Sequence, residues 1–306
     1  MSRKTSAHFV VGLFVVAGLA LAGWVTNSNV IAQNVTTGQW TGSLQKDFSK
    51  INLHFWQRSE KSGRNQTGQT FDFSDLQGLS REQALSGGSV RFSLVREGGT
   101  IDCEGTFQDG KGSGSFRFTG NQSFVSGMKS RGFDFEETSS SNDKHHSENQ
   151  LFAAAMLNVT TALADDLSSA GFGKLQVEDL FKATIFKINS RFMREMKESG
   201  FPNLGMEEMV KARIFKIDAD FVRQVTQMGF DKEPFESLVK MQIFKVTPDF
   251  ITEVRNEGLT DLTVEDIVKL RIFKIDAAFI RQAKAEGLPL EVEKLVQKRI
   301  GVARSY

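Results

Sequence analysis

Cysteine, tyrosine, histidine and proline are nearly missing from this chain of 306 residues, which holds one Cys, one Tyr, four His and four Pro. A lone Cys103 forms no internal disulfide, so the fold has to hold by packing. Cys103 alternates with Ile101, Gly105 and Phe107, the pattern of a small buried residue in a strand; with no histidine near it in sequence, it does not read as a nucleophile. One tyrosine against 27 phenylalanines puts the aromatic content into cores, not onto a polar-tipped surface for stacking bases or sugars. Charge of one sign is lacking too. The 38 basic and 37 acidic side chains leave a net charge of +1, which excludes bulk attraction to nucleic acid or to an anionic membrane.

Chemical signatures are equally sparse. No Gly-x-Ser-x-Gly elbow, no His-Glu-x-x-His helix and no metal-ligand cluster occurs. "GTFQDGKG" (Gly105 to Gly112) has the glycine and lysine spacing of a phosphate loop. However, Gly112 stands where Ser or Thr would hold magnesium, and the segment reads as strand, turn and strand with no helix to receive phosphate. Two carboxylates at hydrolase spacing would escape a reading by sequence. Even so, the missing constellations point to a protein that is not an enzyme and carries no cofactor or metal.

One long uncharged run is present. After Arg3 and Lys4, "FVVGLFVVAGLALAGWV" spans Phe9 to Val25, so residues 1–34 are read as an export signal or membrane anchor. Cleavage is favoured: small residues at Val30 to Ala32 and at Ala20 to Ala22 suit a peptidase, the first leaving a polar flank. The expected location is therefore the periplasm or outside the cell. Membrane contact is expected only through an uncleaved N-terminal segment.

From residue 36 to 135 the hydrophobic period is two. Ile51, Leu53 and Phe55 alternate with polar neighbours, as do Val90, Phe92 and Leu94, then Phe116 and Phe118. Glu97-Gly98-Gly99 and Asp109-Gly110 supply tight turns, predicting a three-stranded meander over 89–118. Trp40, Ile51 to Phe55 and Phe71 to Phe73 add strands, giving a small antiparallel sandwich or open barrel. A polar stretch over 136–148, containing His145 and His146, reads as a linker.

Residues 149–306 repeat with a period of 29. Ile185-Phe186, Ile214-Phe215, Ile243-Phe244 and Ile272-Phe273 recur, and so do Gly171, Gly200, Gly229, Gly258 and Gly287. About five units and a terminal half-unit follow, the first a degenerate copy over Ala154 to Phe172, each expected to be a pair of short helices in a stacked array. Thr160, Asn189, Asp218, Thr247 and Asp276 are placed to cap the second helices. Pro248 fits a first helical turn, and the glycine column ends the helix before Phe172, Phe201, Phe230, Leu259 and Leu288. The Ile-Phe pairs, with Phe192, Phe221, Phe250 and Phe279, are expected to form the core between units. The whole chain is thus α+β with two domains.

Two lysine columns would line such an array. Lys182, Lys211, Lys240 and Lys269 each follow a glutamate by four residues, from Glu178 to Glu265, and are expected to pair within their helix. Lys187, Lys216, Lys245 and Lys274 fall near the end of the first helix, where a cation meets the negative end of the dipole. This second column is the candidate interaction surface.

The unit "IF-K-[apolar]-[DNT]-x-x-F", closing in Gly-[Phe/Leu] and including "VTPDFI" at Val246 to Ile251, resembles repeats of exported bacterial proteins. With β phrases like "FSLVREGGTIDCEGTF" (Phe92 to Phe107) before it, it is similar to regions found beside BlaR-like membrane metallopeptidases and in anti-sigma-factor-like proteins. The resemblance covers nearly all of the chain after the N-terminal segment. It implies an extracytoplasmic sensing or interaction region, and the peptidase itself is not implied. Lysine in place of glycine in turns such as Lys216 departs from the pattern. The expected function is a non-catalytic scaffold that binds another envelope protein, with no nucleic-acid partner. The alternatives are an apolar-ligand carrier built on Phe55, Phe92 and Phe107, and polyanion binding along the second lysine column.

Overall fold

The computed structural model describes residues 35–59, 63–136, 144–171 and 173–301. Residues 1–34, expected to be an export signal or anchor, and Phe172 lie outside them. The described residues form one compact unit.

The period of two gives seven strands: β1 (Val35–Leu44), β2 (Lys50–Ser59), β3 (Gly63–Asp72), β4 (Leu76–Gln77), β5 (Gly88–Arg96), β6 (Gly99–Gln108) and β7 (Lys111–Gly120). They form one antiparallel sheet in the order β3-β2-β1-β7-β6-β5-β4. The sheet curls into a half-barrel whose ends do not pair, which is the open alternative and not the two-sheet sandwich. Turns form where the glycines predicted them. Gln108 pairs with Lys111 across Asp109 and Gly110, both at positive φ (50° and 74°), as a tight hairpin requires. The phosphate-loop look-alike is this hairpin.

One face of the sheet is lined by Trp40, Ile51, Leu53, Phe55, Phe92, Ile101, Cys103, Phe107, Phe116 and Phe118, all buried. The Trp40 indole lies 5.2 Å from Phe92 and 5.6 Å from Phe107 and donates its N–H to the Glu104 carbonyl. A side chain at Gly105 would put its Cβ 2.8 Å from that indole and 2.2 Å from the Ser113 carbonyl. Glycine there is what lets the strands close on the ring. His54 is exposed, as alternation demanded, and its ring lies over Gly68 on the neighbouring strand. Burial pushes the Cys103 thiol well above its ordinary range, which leaves it inert.

Two short helices, α1 (Arg81–Ser86) and α2 (Gln122–Lys129), flank the sheet. Then α3 (Lys144–Leu157) starts inside the stretch expected as a linker, and His145 and His146 fall in its first turn. Its Phe152 ring stacks on Phe116 at 5.5 Å and meets Phe118 and Phe55 edge-on at 5.2 and 5.9 Å. The sheet and the helices thus share one core.

The array continues as α4 (Thr161–Ser169), α5 (Val177–Phe186), α6 (Ser190–Glu198), α7 (Met206–Ile214), α8 (Ala219–Gln227), α9 (Phe235–Ile243), α10 (Pro248–Asn256), α11 (Val264–Ile272), α12 (Ala277–Ala285) and α13 (Val292–Arg299). The pairs α3/α4 to α11/α12 are the five units, and α13 is the half-unit. Every anticipated cap is present: Thr160, Asn189, Asp218, Thr247 and Asp276 accept from the N–H three residues on, at 2.9–3.3 Å. Each glycine of the column has positive φ, from 69° to 110°. The N–H of Phe201, Phe230, Leu259 and Leu288 bonds back five residues, closing the helix.

Candidate interaction surface

The first helix of each unit closes as the second does, but without glycine. Ile188, Ile217, Val246 and Ile275 donate their N–H five residues back, at 2.8–2.9 Å. The left-handed residue just before them is Lys187, Lys216, Lys245 or Lys274, at φ between 52° and 55°. In the first unit the same position is Asn158, at φ 59°. Asparagine and glycine visit this conformation readily, whereas lysine does so at a cost of about 1–2 kcal/mol. All four lysines are exposed. Among the described residues none of them takes part in an ion pair.

The backbone of these turns is held from the next unit. Arg213 donates to the Lys187 carbonyl at 2.8 Å, Gln242 to that of Lys216 at 3.3 Å, and Arg271 to that of Phe244 at 3.0 Å. Arg299 reaches the carbonyls of both Phe273 and Lys274. Arg213, Arg271 and Arg299 also lie over the rings of Phe192, Phe250 and Phe279, with the guanidinium carbon 3.7–4.8 Å from the ring centre. Burial lowers the pKa of Arg213 from its ordinary value. With carbonyls and rings engaged by the next unit, the lysine side chains are what each turn presents to solvent. Sequence reasoning missed this arginine column. Its signal was the basic residue next to last in α7 and α11, at Arg213 and Arg271.

The first lysine column corrects an expectation. Lys182, Lys211, Lys240 and Lys269 bond not to the glutamate of their own helix but to Glu207, Glu236, Glu265 and Glu293 of the next unit. Stacking places the next helix closer to the ammonium than the side chain one turn back. Hydrogen bonding to these carboxylates, outweighing partial desolvation, holds the Lys182, Lys211 and Lys269 ammonium groups above their ordinary value. The column is a ladder that ties unit to unit.

The Ile-Phe pairs correct another. Their phenylalanines, Phe186, Phe215, Phe244 and Phe273, are half-buried against the core, but the isoleucines face outward. Ile185, Ile214, Ile243, Ile272 and Ile300 are 47–55% exposed. A residue at the end of the helix, just past the stacked face, cannot reach the neighbouring unit. Each of the four units from α5 to α12 therefore presents an exposed isoleucine, a half-buried phenylalanine and an exposed lysine without an ion pair among the described residues, in succession. An exposed isoleucine, Ile300, also follows α13 directly, with Gly301 at positive φ after it in place of the Phe and the Lys.

Apart from the stripe there is an open groove of about 830 Å³ between α6 and α8, lined by Arg191, Glu195, Glu198, Asp218, Asp220 and Arg223 among others. Arg191 pairs with Glu195 and Arg223 with Asp220. Hydrogen bonding to Glu195 raises the Arg191 pKa, and Glu198 and Asp218 leave the groove's lining net acidic. Among the described residues there is no group of His, Cys, Asp and Glu able to hold a metal ion, and no helix long and apolar enough to cross a membrane. Compared with known protein families and with curated proteins, the chain matches no family model and no relative.

Proposed function

We propose that this protein is a non-catalytic, exported interaction scaffold whose helical array binds another protein along the stripe running from Ile185 to Ile300. The recurring exposed isoleucine carries this reading. A β-branched apolar side chain left half in water contributes little to the array's own core, yet it returns in every unit from α5 to α13. The resemblance of the repeats to those of exported bacterial proteins supports an extracytoplasmic setting. A ligand carrier built on the sheet is less favoured, because Trp40, Phe116 and Phe152 rings fill the space beside Phe55, Phe92 and Phe107. Polyanion binding draws on the four unpaired lysines but gives the isoleucines no role.

The double substitution Ile214→Ser and Ile243→Ser tests the scaffold. Crosslinking in the cells that make the protein, read by mass spectrometry, is expected to lose a specific partner while the melting temperature changes little. Retention of the same partner by the double variant would overturn the reading.

A further inference from the structure

Resting on that reading, we infer that the occupant of the stripe is an acidic amphipathic helix of the partner, laid across the units with one apolar residue seated at each. The stripe is one isoleucine wide per unit, so it fits a rod and not a plane. Successive first helices are stacked and tied by the Lys–Glu ladder, which puts their axes about 8–10 Å apart. A helix advances about 10.5 Å in seven residues. An apolar side chain at every seventh position therefore meets successive isoleucines, with five contacts along about eight turns, the arrangement of a helix lying in a shallow apolar seam.

Charge selects the flanks. Lys187, Lys216, Lys245 and Lys274 stand two residues beyond the isoleucines of their units, exposed and without an ion pair among the described residues. They repeat at the same interval, so carboxylates beside the ligand's apolar positions find a cation at the four steps from Ile185 to Ile272. Holding lysine where Gly or Asn fits the backbone better marks the cation as retained for something other than folding. A lipid surface suits this stripe less well. A flat bilayer would meet a row only one isoleucine wide per unit and leave most of its own surface unmatched. A phosphate or sulfate polymer would leave the isoleucines facing water.

The test uses the full chain and a fluorescein-labelled synthetic helix with Leu at every seventh position and Glu on both flanks, against a scrambled peptide of the same composition. Fluorescence anisotropy is expected to show saturable binding of the ordered peptide and at least about tenfold weaker binding of the scrambled one. Ile214→Ser with Ile243→Ser should weaken it about tenfold or more, as loss of buried anchors does. Lys216→Gly with Lys245→Gly, which keeps the turn geometry, should weaken it several-fold at low salt and less at high salt. No saturable binding, equal binding of the scrambled peptide, or indifference to the isoleucine changes would overturn the inference. So would stripe-dependent binding only to anionic vesicles, or stripe-dependent self-association in sedimentation. If partner capture in cells still depends on Ile214 and Ile243 while the peptide fails, the scaffold reading stands and the acidic helix falls.

Discussion

At the scale of the residue, the left-handed lysines are where local preference and observed conformation part. Lys216 at φ 55° accepts a conformation that the array assigns to glycine at the ends of its second helices and to Asn158 in the first unit. Lys216→Gly should therefore raise stability by about 1 kcal/mol, read as a shift of the urea midpoint with an unchanged slope. A loss of stability would show that the lysine side chain supports the turn. Glycine and asparagine announce a positive φ in a sequence, and lysine does not. The glycine column and the five side-chain caps could thus be located before the fold was seen, while the second set of left-handed turns could not. The isoleucines were misplaced for a related reason. Apolar character says that a side chain gains by leaving water, but only the direction of the last helical turn decides whether a neighbour is there to receive it.

At the scale of the element, the helices were readable because their signals are local: a cap three residues from its N–H, an apolar period, a closing glycine. The joints between helices were not, because Lys211 finds Glu236 across 25 residues, a distance that helical spacing does not encode. A double-mutant cycle on Lys211 and Glu236 should show coupling that shrinks with salt, and a cycle on Lys211 and Glu207 should show much less. Reversed outcomes would restore the intrahelical pairing. The raised ammonium pKa fixes the sign of the pH dependence. The pair's contribution is fully present below the ordinary value of 10.5 and is lost as pH rises through the raised one, so it stays constant across the neutral range. The sheet was legible from its alternation and turns, and its curl was not, since that depends on close approaches such as Gly105 beneath Trp40.

At the scale of the whole molecule, the sheet and the array are coupled on either side of the stretch expected as a linker, whose residues 137–143 lie outside the described ones. Phe152 packs among three sheet phenylalanines, Glu97 accepts from the Thr161 N–H and hydroxyl at the start of α4, and Arg131 holds Asp165. Phe152→Ala should cost about 3–5 kcal/mol and lower the sheet and first-unit transitions together, followed by tryptophan fluorescence for Trp40 and by helical circular dichroism. Separate transitions would show the two parts to be independent. The curled sheet thus closes one end of the stack, covering the apolar side of α3 that an array on its own would leave bare. Toward α13 the ladder sets the terms. Three of its rungs span 25 residues and the last spans 24, so whole units could be gained or lost between α5 and α13 with every rung, cap and turn rebuilt as before. Length is then the one dimension of this molecule that can vary without redesign, and each added unit would lengthen the stripe by one foothold, multiplying grip on a long partner without altering the chemistry of any single contact.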